Sequence, residues 1–303
     1  MGQVDWFPDG HEVKAEEMDR WRSLRRFGVG ASEVAGIMGF GAYDNQTPVQ
    51  IYGLKTGDIP SRIADDPQIL AGKAFEEGIV NLYPHYSGGD RIVKREVFYR
   101  HPNFDEIPLF ATLDGIDTNG NGVEIKRIGA YARKQDFEEL PRHWYLQAQA
   151  QLLCSGLPMI QFALFFEGTG RVDLAHTVQL DPIARWEIES AVSKFWWHHV
   201  SPGIPPAVQE PDDARYLPQL KGFAEPPPVD LDYDDLGQAR SYFELEARIK
   251  ELQADLESKR KYIFQRLDGA PSARFPDGSQ LYAKAHGKGI RLKFRDSGYP
   301  VPA

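Results

Sequence analysis

The stretch that most limits what this chain can fold into is Ala111–Arg127, ATLDGIDTNGNGVEIKR. Leu113, Ile116, Val123 and Ile125 are strand-type residues, and Asn119-Gly120-Asn121-Gly122 between them is a strong hairpin signal. Side chains alternate across a strand, so Glu124 and Lys126 share one face while Val123 and Ile125 take the other. Asp114 lies on the partner strand, within reach of the same side. Two carboxylates and an ammonium converging on a rigid strand pair suit a hard cation such as Mg²⁺, with the lysine orienting or deprotonating a water. Taken alone, the pattern also fits ordinary surface chemistry, a polar face on an exposed antiparallel strand.

With 303 residues there is room for one large domain, or for a domain and an appendage. No apolar run approaches the ~20 residues that span a membrane, and MGQVDWFPDGHEVK lacks the regions of a secretory signal, so a cytoplasmic protein (bacterial, or in a phage-infected host) is expected. Cys154 is the only cysteine, which excludes disulfides and cysteine-based metal centres and makes it a core residue. A formal net charge of −9 opposes indiscriminate adhesion to nucleic acid but not a local basic groove.

In chain order, 15–26 reads as a short amphipathic helix rich in arginine. FGVGASEVAGIMG follows, with Ser32 as N-cap of a helix over 33–38. Such a helix start facing arginines is a seat for a phosphate, or simply a capped helix with solvated arginines. Thr47-Pro48 opens a helix that Gly57 closes. The helix at 67–83 buries Phe75, Ile79 and Leu82 or Tyr83, with Glu76 inward or solvated. Strand 91–100 leads into the hairpin, and Arg127, Arg133 and Lys134 add positive charge beyond it. A helix from Arg142 to Gly156 carries Gln147 and Gln151 on one face and Gln149 on another. Strands at 159–166 and 171–180 precede a helix from Asp181 to about His199. Eight prolines between Ser201 and Pro228 and a net charge of −6 over 205–235 mark a stiff linker or a strap across the surface. A long helix at 235–267 keeps the stripe Tyr242, Leu245, Ile249, Leu252, Leu256 and Ile263. The tail forms a hairpin around Pro276-Asp277-Gly278, followed by a basic strand. Over 269–303 the net charge is +4, which suits either a nucleic-acid contact or a partner for the acidic linker.

Several motifs in one order resemble the PD-(D/E)xK nucleases, and among them the YqaJ-type viral recombinases of the lambda exonuclease family. Trp21 and Arg25 with GVGAS ending at Ser32 are similar to that family's 5′-phosphate anchor, and GKAFE ending at Glu76 to its helix glutamate. LFATLDGID and VEIK resemble the central Asp and Glu-x-Lys, YLQAQAQLLCSG the glutamine helix, and FWWHHVSPGIPP the closing signature. The resemblance spans most of 18–205.

The resemblance implies an α/β (α+β) restriction-endonuclease-like core with a central mixed sheet flanked by helices. A nuclease domain at 1–204, a proline-rich acidic linker at 205–229 and an extension at 230–303, a long helix plus small β-hairpin, are expected. It also implies that Asp114, Glu124, the Ile125 carbonyl and Glu76 bind Mg²⁺, with Mn²⁺ able to substitute, and that Lys126 activates water. Gln147 orients the nucleophile or the lysine, with Gln149 and Gln151 as alternatives, while Arg25 and Ser32 hold a 5′-phosphate with Arg26 as a neighbour. The implied activity is 5′→3′ digestion of linear double-stranded DNA ends to leave 3′ tails for recombination. Expected partners are a single-strand annealing protein and further copies in a ring trimer, with no membrane. A restriction or repair endonuclease and a nuclease-dead end-binding module are the alternatives.

Overall fold

The computed structural model describes residues 4–41, 47–60, 67–130, 137–208, 211–221, 230, 232–286 and 289–295, with backbone only at 67–70, 211–212, 284–286 and 289–291. Arg133 and Lys134 lie outside the described residues. Two compact units divide between Glu225 and Pro226.

The first unit is a mixed sheet built on β3 (Ile92–Arg100), β4 (Leu109–Asp117), β5 (Gly122–Ile128) and β6 (Ile160–Phe166). The short strands β1 (His11–Glu12) and β7 (Arg171–Asp173) extend it on either side, in the order β1-β3-β4-β5-β6-β7. β2 (Val29–Gly30) adds to β4 in parallel and β8 (Thr177–Val178) to β6. Helices α1 (Met18–Leu24), α2 (Val34–Ile37), α3 (Pro48–Thr56), α4 (Pro67–Tyr86), α5 (Arg142–Ser155) and α6 (Pro182–Phe195) surround the sheet. This is the mixed α/β architecture with flanking helices that the motif order implies.

The β4–β5 turn is fixed by Asp117. Its carboxylate accepts from the N–H groups of Asn119 and Asn121, both at 2.9 Å, and Gly120 supplies the positive φ of 81° that the turn requires. Two apolar layers then separate as alternation along β5 demands. Val123 and Ile125 pack with Ile79 and Tyr83 of α4 and Ala163 of β6. Leu146, Ala150 and Leu153 of α5 lie in the larger core with Ile188 and Val192 of α6. Glu124 and Lys126 therefore face α5.

Some expectations need correction. Phe75 is 44% exposed: it stacks on Phe165 and lies under the Arg127 guanidinium, outside the core formed by Ile79 and Tyr83. Leu82, about 100° around the helix from Tyr83, also points outward. The strand expected over 171–180 is broken into β7 and β8. The Gln161 amide donates to the carbonyls of Leu174 and His176, and Asp173 turns back onto the Ala175 N–H. α6 stops at Phe195, and residues Trp196–Val200 form one wider turn in which Trp196 is buried and Trp197 donates to the Glu106 carbonyl. Beyond Pro205 the first unit continues, and Leu217 and Leu220 pack with its core. Asp213 is buried and accepts from the Thr47 hydroxyl.

The second unit holds α7 (Tyr233–Leu267) and a three-stranded sheet of β9 (Ser272–Arg274), β10 (Gln280–His286) and β11 (Gly289–Arg295). Asp232 caps α7 through the N–H groups of Asp234 and Asp235, with Asp235 reciprocating. The stripe from Tyr242 to Leu256 is exposed.

Candidate active site

The site is a fork between two strands. β4 and β5 pair only at Gly115–Val123 and Ile116–Gly122, so the ladder ends where Asp114 and Glu124 would be the next opposed residues. β5 leaves to pair with β6 along Gly122–Ile128. Further along, β4 is paired by β2 at Leu109 and Phe110. Asp114 occupies the opening: its Oδ2 accepts from the Ile125 N–H at 2.7 Å, replacing a lost ladder bond. On the other edge of β4 the β3 pairing also skips this level. There Glu96 stands between the Arg95–Gly115 and Val97–Leu113 pairs at a left-handed φ of 50°. A non-glycine residue in that conformation stores on the order of 1–2 kcal/mol of strain.

Helix α5 lays a row of side chains over the fork. Lys126 Nζ lies 2.7 Å from Glu124 Oε1 and donates to Gln147 Oε1 at 3.0 Å. The Gln147 amide donates to Glu124 Oε1 at 2.7 Å, and the Gln151 amide, one turn on, donates to Glu124 Oε2 at 2.5 Å. Glu124 is thus nearly inaccessible yet held on both oxygens. Gln149 faces elsewhere, bridging the Gln179 carbonyl and the Asp181 N–H. The pairing of Gln147 with Gln151 follows from their spacing of four residues; the direct grip of Gln151 on Glu124 does not. His143, one turn before Gln147, is a neighbour that the motifs do not single out. Burial and the Lys126 charge both lower its pKa.

Electrostatics set Asp114 apart. Burial, then the charges of Glu124 and Glu76, push its pKa well above the ordinary Asp range, against the weaker opposing effects of Lys126 and the Ile125 N–H. Glu76, on α4, is raised by burial and by Glu96 and Glu124, with Lys73 and Arg95 opposing. The Arg95 guanidinium lies 3.8 Å from Glu76 and also donates to the Asp114 carbonyl.

Asp114 and Glu76, both raised by burial and by neighbouring carboxylates, stand beside the Glu124 carboxylate in a space short of positive charge. Among the described residues the buried Oε1 of Gln151 also has no hydrogen-bond partner. Both features fit a hard divalent cation. Among the described residues no three acidic, histidine or cysteine side chains are already drawn into a closed metal cage. Lys126 supplies the cationic contact to Glu124.

The expected phosphate anchor packs against the same strand, β4. Trp21 Nε1 donates to Thr112 Oγ1 at 2.9 Å, two residues before Asp114, and the Arg25 guanidinium sits 5.0 Å from the Trp21 ring. β2 meets β4 at Phe110, four residues or roughly 13 Å from Asp114 at ~3.3 Å per residue. Arg25 is paired with Glu33 at 3.0 Å, and the buried Lys55 ammonium meets the other Glu33 oxygen at 2.5 Å. Burial lowers the Lys55 pKa to about 8 despite that partner. Arg26 diverges to the Thr56 carbonyl. Ser32 is not the expected N-cap: Gly30 occupies that position and the Glu33 carboxylate accepts from its N–H at 2.7 Å, leaving Ser32 exposed. The reason is local, because glutamate three residues after Gly30 reaches back to the free N–H more readily than the serine hydroxyl.

Glu33→Ala strands a buried ammonium, so the variant is expected to lose about 3–5 kcal/mol of stability. Urea unfolding measures this, and a loss below ~1 kcal/mol would show that the cluster is solvated.

Residues 20–158 match the model of the YqaJ-like viral recombinase domain. No curated protein matches the chain. Among solved structures the fold is similar to that of an alkaline exonuclease, LHK-Exo, from Laribacter hongkongensis (18% identity, 59% of this chain and 91% of that one, TM-score 0.50). The same protein in complex with dAMP aligns at 19% identity over 59% of this chain and 91% of that one, also at TM-score 0.50. The matched stretch, which holds the arginine cluster, the helix bearing Glu76, the strand fork and the glutamine helix, is similar to a YqaJ-like viral recombinase domain.

Proposed function

We propose that the chain is a Mg²⁺-dependent 5′→3′ exonuclease on linear double-stranded DNA, leaving 3′ single strands for recombination. The observation that carries this reading is the convergence of Asp114, Glu124, Lys126 and Gln147 at the fork, with Asp114 held in a charge environment that calls for a cation. Asp114, Glu124 and the Ile125 carbonyl would hold the ion, with Glu76 assisting. Mg²⁺, with Mn²⁺ as substitute, would supply neutralisation of the charge that builds on the phosphoryl oxygens. Lys126, once it has released its own proton, would orient water and take a proton from it, positioned by Gln147. Gln151 would keep Glu124 turned toward the fork.

Arg25 is the anchor for a terminal 5′-phosphate, which would exchange places with Glu33 as its anionic partner. A single-strand annealing protein and a ring of three copies are the partners proposed with this activity.

The test is digestion of linear duplex with and without a 5′-phosphate, beside closed circular duplex, with and without Mg²⁺. Mg²⁺-dependent loss of the linear substrates with the circle spared is the expected outcome. Cutting of the circle would instead establish an endonuclease, and end binding without digestion a binding module. Arg25→Ala should abolish the preference for a 5′-phosphate. A charge-assisted hydrogen bond of about 1.5–3 kcal/mol corresponds to roughly 10–100-fold in KM for the phosphorylated end. Persistence of the preference would remove Arg25 from the anchor.

A further inference from the structure

The C-terminal sheet carries a charge pattern that has no part in the fork. Antiparallel register aligns Arg274, Gln280 and Arg295 in one rung across β9, β10 and β11, and Ser272, Tyr282 and Lys293 in the next rung of the same parity. Lys284 pairs with Arg291 one such step further on. The intervening rungs are apolar, with Ala273, Leu281 and Phe294 in one and Ala283 and Leu292 in another. Because strand side chains alternate, the sheet has one basic face and one apolar face.

No position of the three strands is acidic. Arg274, Lys293 and Arg295 are exposed, and among the described residues none of them forms a salt bridge. Asp277, in the turn before β10, is directed onto the N–H and hydroxyl of Ser279 at 2.9 Å each. A solubilising surface intersperses both signs; the charges on this one are all positive, in a chain whose net charge is −9.

We propose that this face binds the phosphodiester backbone of DNA, holding the substrate while the fork acts on its end. Same-face residues recur every ~6.8 Å along a strand, which spans about two phosphates of one DNA strand at ~3.4 Å of axis each. A protein acidic overall needs such a built cationic face to retain a polyanion between cuts. The choice of DNA rests on the nuclease reading; the basic face does not depend on it.

The test uses the full chain in EDTA, where no Mg²⁺-dependent cutting occurs, and measures binding to a fluorescent linear duplex over a salt series. Arg274→Ala, Lys293→Ala and Arg295→Ala together should weaken binding at least tenfold. They should also reduce the slope of log affinity against log salt by about 2–3, since each lost phosphate contact removes ~0.9. The charge-conserving set Arg274→Lys, Lys293→Arg and Arg295→Lys should restore both. Unchanged affinity and slope would overturn the proposal. So would tighter binding by the alanine set, which would mean the face pairs with the chain's own acids, and so would an equal loss by the charge-conserving set. A parent chain that shows the slope effect but digests nothing would sink the nuclease reading and leave the DNA face standing.

Discussion

Lys126→Ala is expected to lower the single-turnover rate of duplex hydrolysis by ~10³-fold or more while changing DNA affinity by less than about threefold. Proton transfer by a positioned group contributes roughly 10²–10⁴-fold, and this ammonium also supplies the cationic contact to Glu124 at 2.7 Å. Removing it therefore loses a proton-transfer group and leaves a buried carboxylate poorly balanced. Lys126→Arg separates the two roles, because arginine keeps the charge but does not give up its proton near neutral pH. If proton transfer is the larger part, the arginine variant should fail nearly as badly as the alanine one. An unchanged rate in Lys126→Ala would overturn the assignment of this lysine to the chemistry.

Asp114→Asn should abolish hydrolysis and at the same time stabilise the cation-free protein. The folded-state pKa of Asp114 is raised, first by burial and then by Glu124 and Glu76. A carboxyl raised on folding binds more protons folded than unfolded, so stability falls as pH rises from the ordinary Asp value of 3.8 through the folded-state value. The penalty is absent below that window and complete above it. Asparagine removes it while its side-chain oxygen still accepts from the Ile125 N–H. Each unit of pKa displacement amounts to about 1.4 kcal/mol, and in a unit of this size ~1 kcal/mol moves Tm by roughly 2–4 °C. The variant should therefore melt above the parent at pH ~8 in EDTA, with the difference shrinking toward pH ~4. Millimolar Mg²⁺ should raise the parent's Tm and leave the variant's almost unmoved, by the linkage of ligand binding to folding. A variant that melts below the parent at every pH would mean that Asp114 is a structural ladder substitute rather than a destabilised cation ligand.

Local chemistry made much of this legible in advance. The NGNG turn fixes the β4–β5 connection because only a short turn with positive φ joins two such strands, and alternation along β5 puts Glu124 and Lys126 on one side and Val123 and Ile125 on the other. A spacing of four on a helix places Gln147 beside Gln151 and excludes Gln149. The caps of α3 and α7 are likewise written in Thr47, Gly57 and Asp232. These are short-range statements, governed by φ/ψ preferences and by helix and strand periods.

What required tertiary structure is everything that depends on distance between segments far apart in the chain. The hairpin motif gives no sign that the ladder ends after two pairs, yet that fork is what lets Asp114 reach the Ile125 N–H. Nor does it show that Arg25 is held by Glu33 while Arg26 diverges to Thr56, or that Gln151 grips the Glu124 oxygen left by Gln147. Phe75 obeys the helical period of a buried stripe and is nonetheless exposed, because it lies over Phe165 outside the core. The alternation of KGIRLKFR allowed a basic strand, but only its register against β9 and β10 put Arg274, Lys293 and Arg295 on one face. By itself the sequence determined the hairpin, the helix carrying the glutamines and the residue types gathered for cation chemistry. Folding decided which of those residues meet, because desolvation and charge coupling arise only when distant segments close on one another and exclude water.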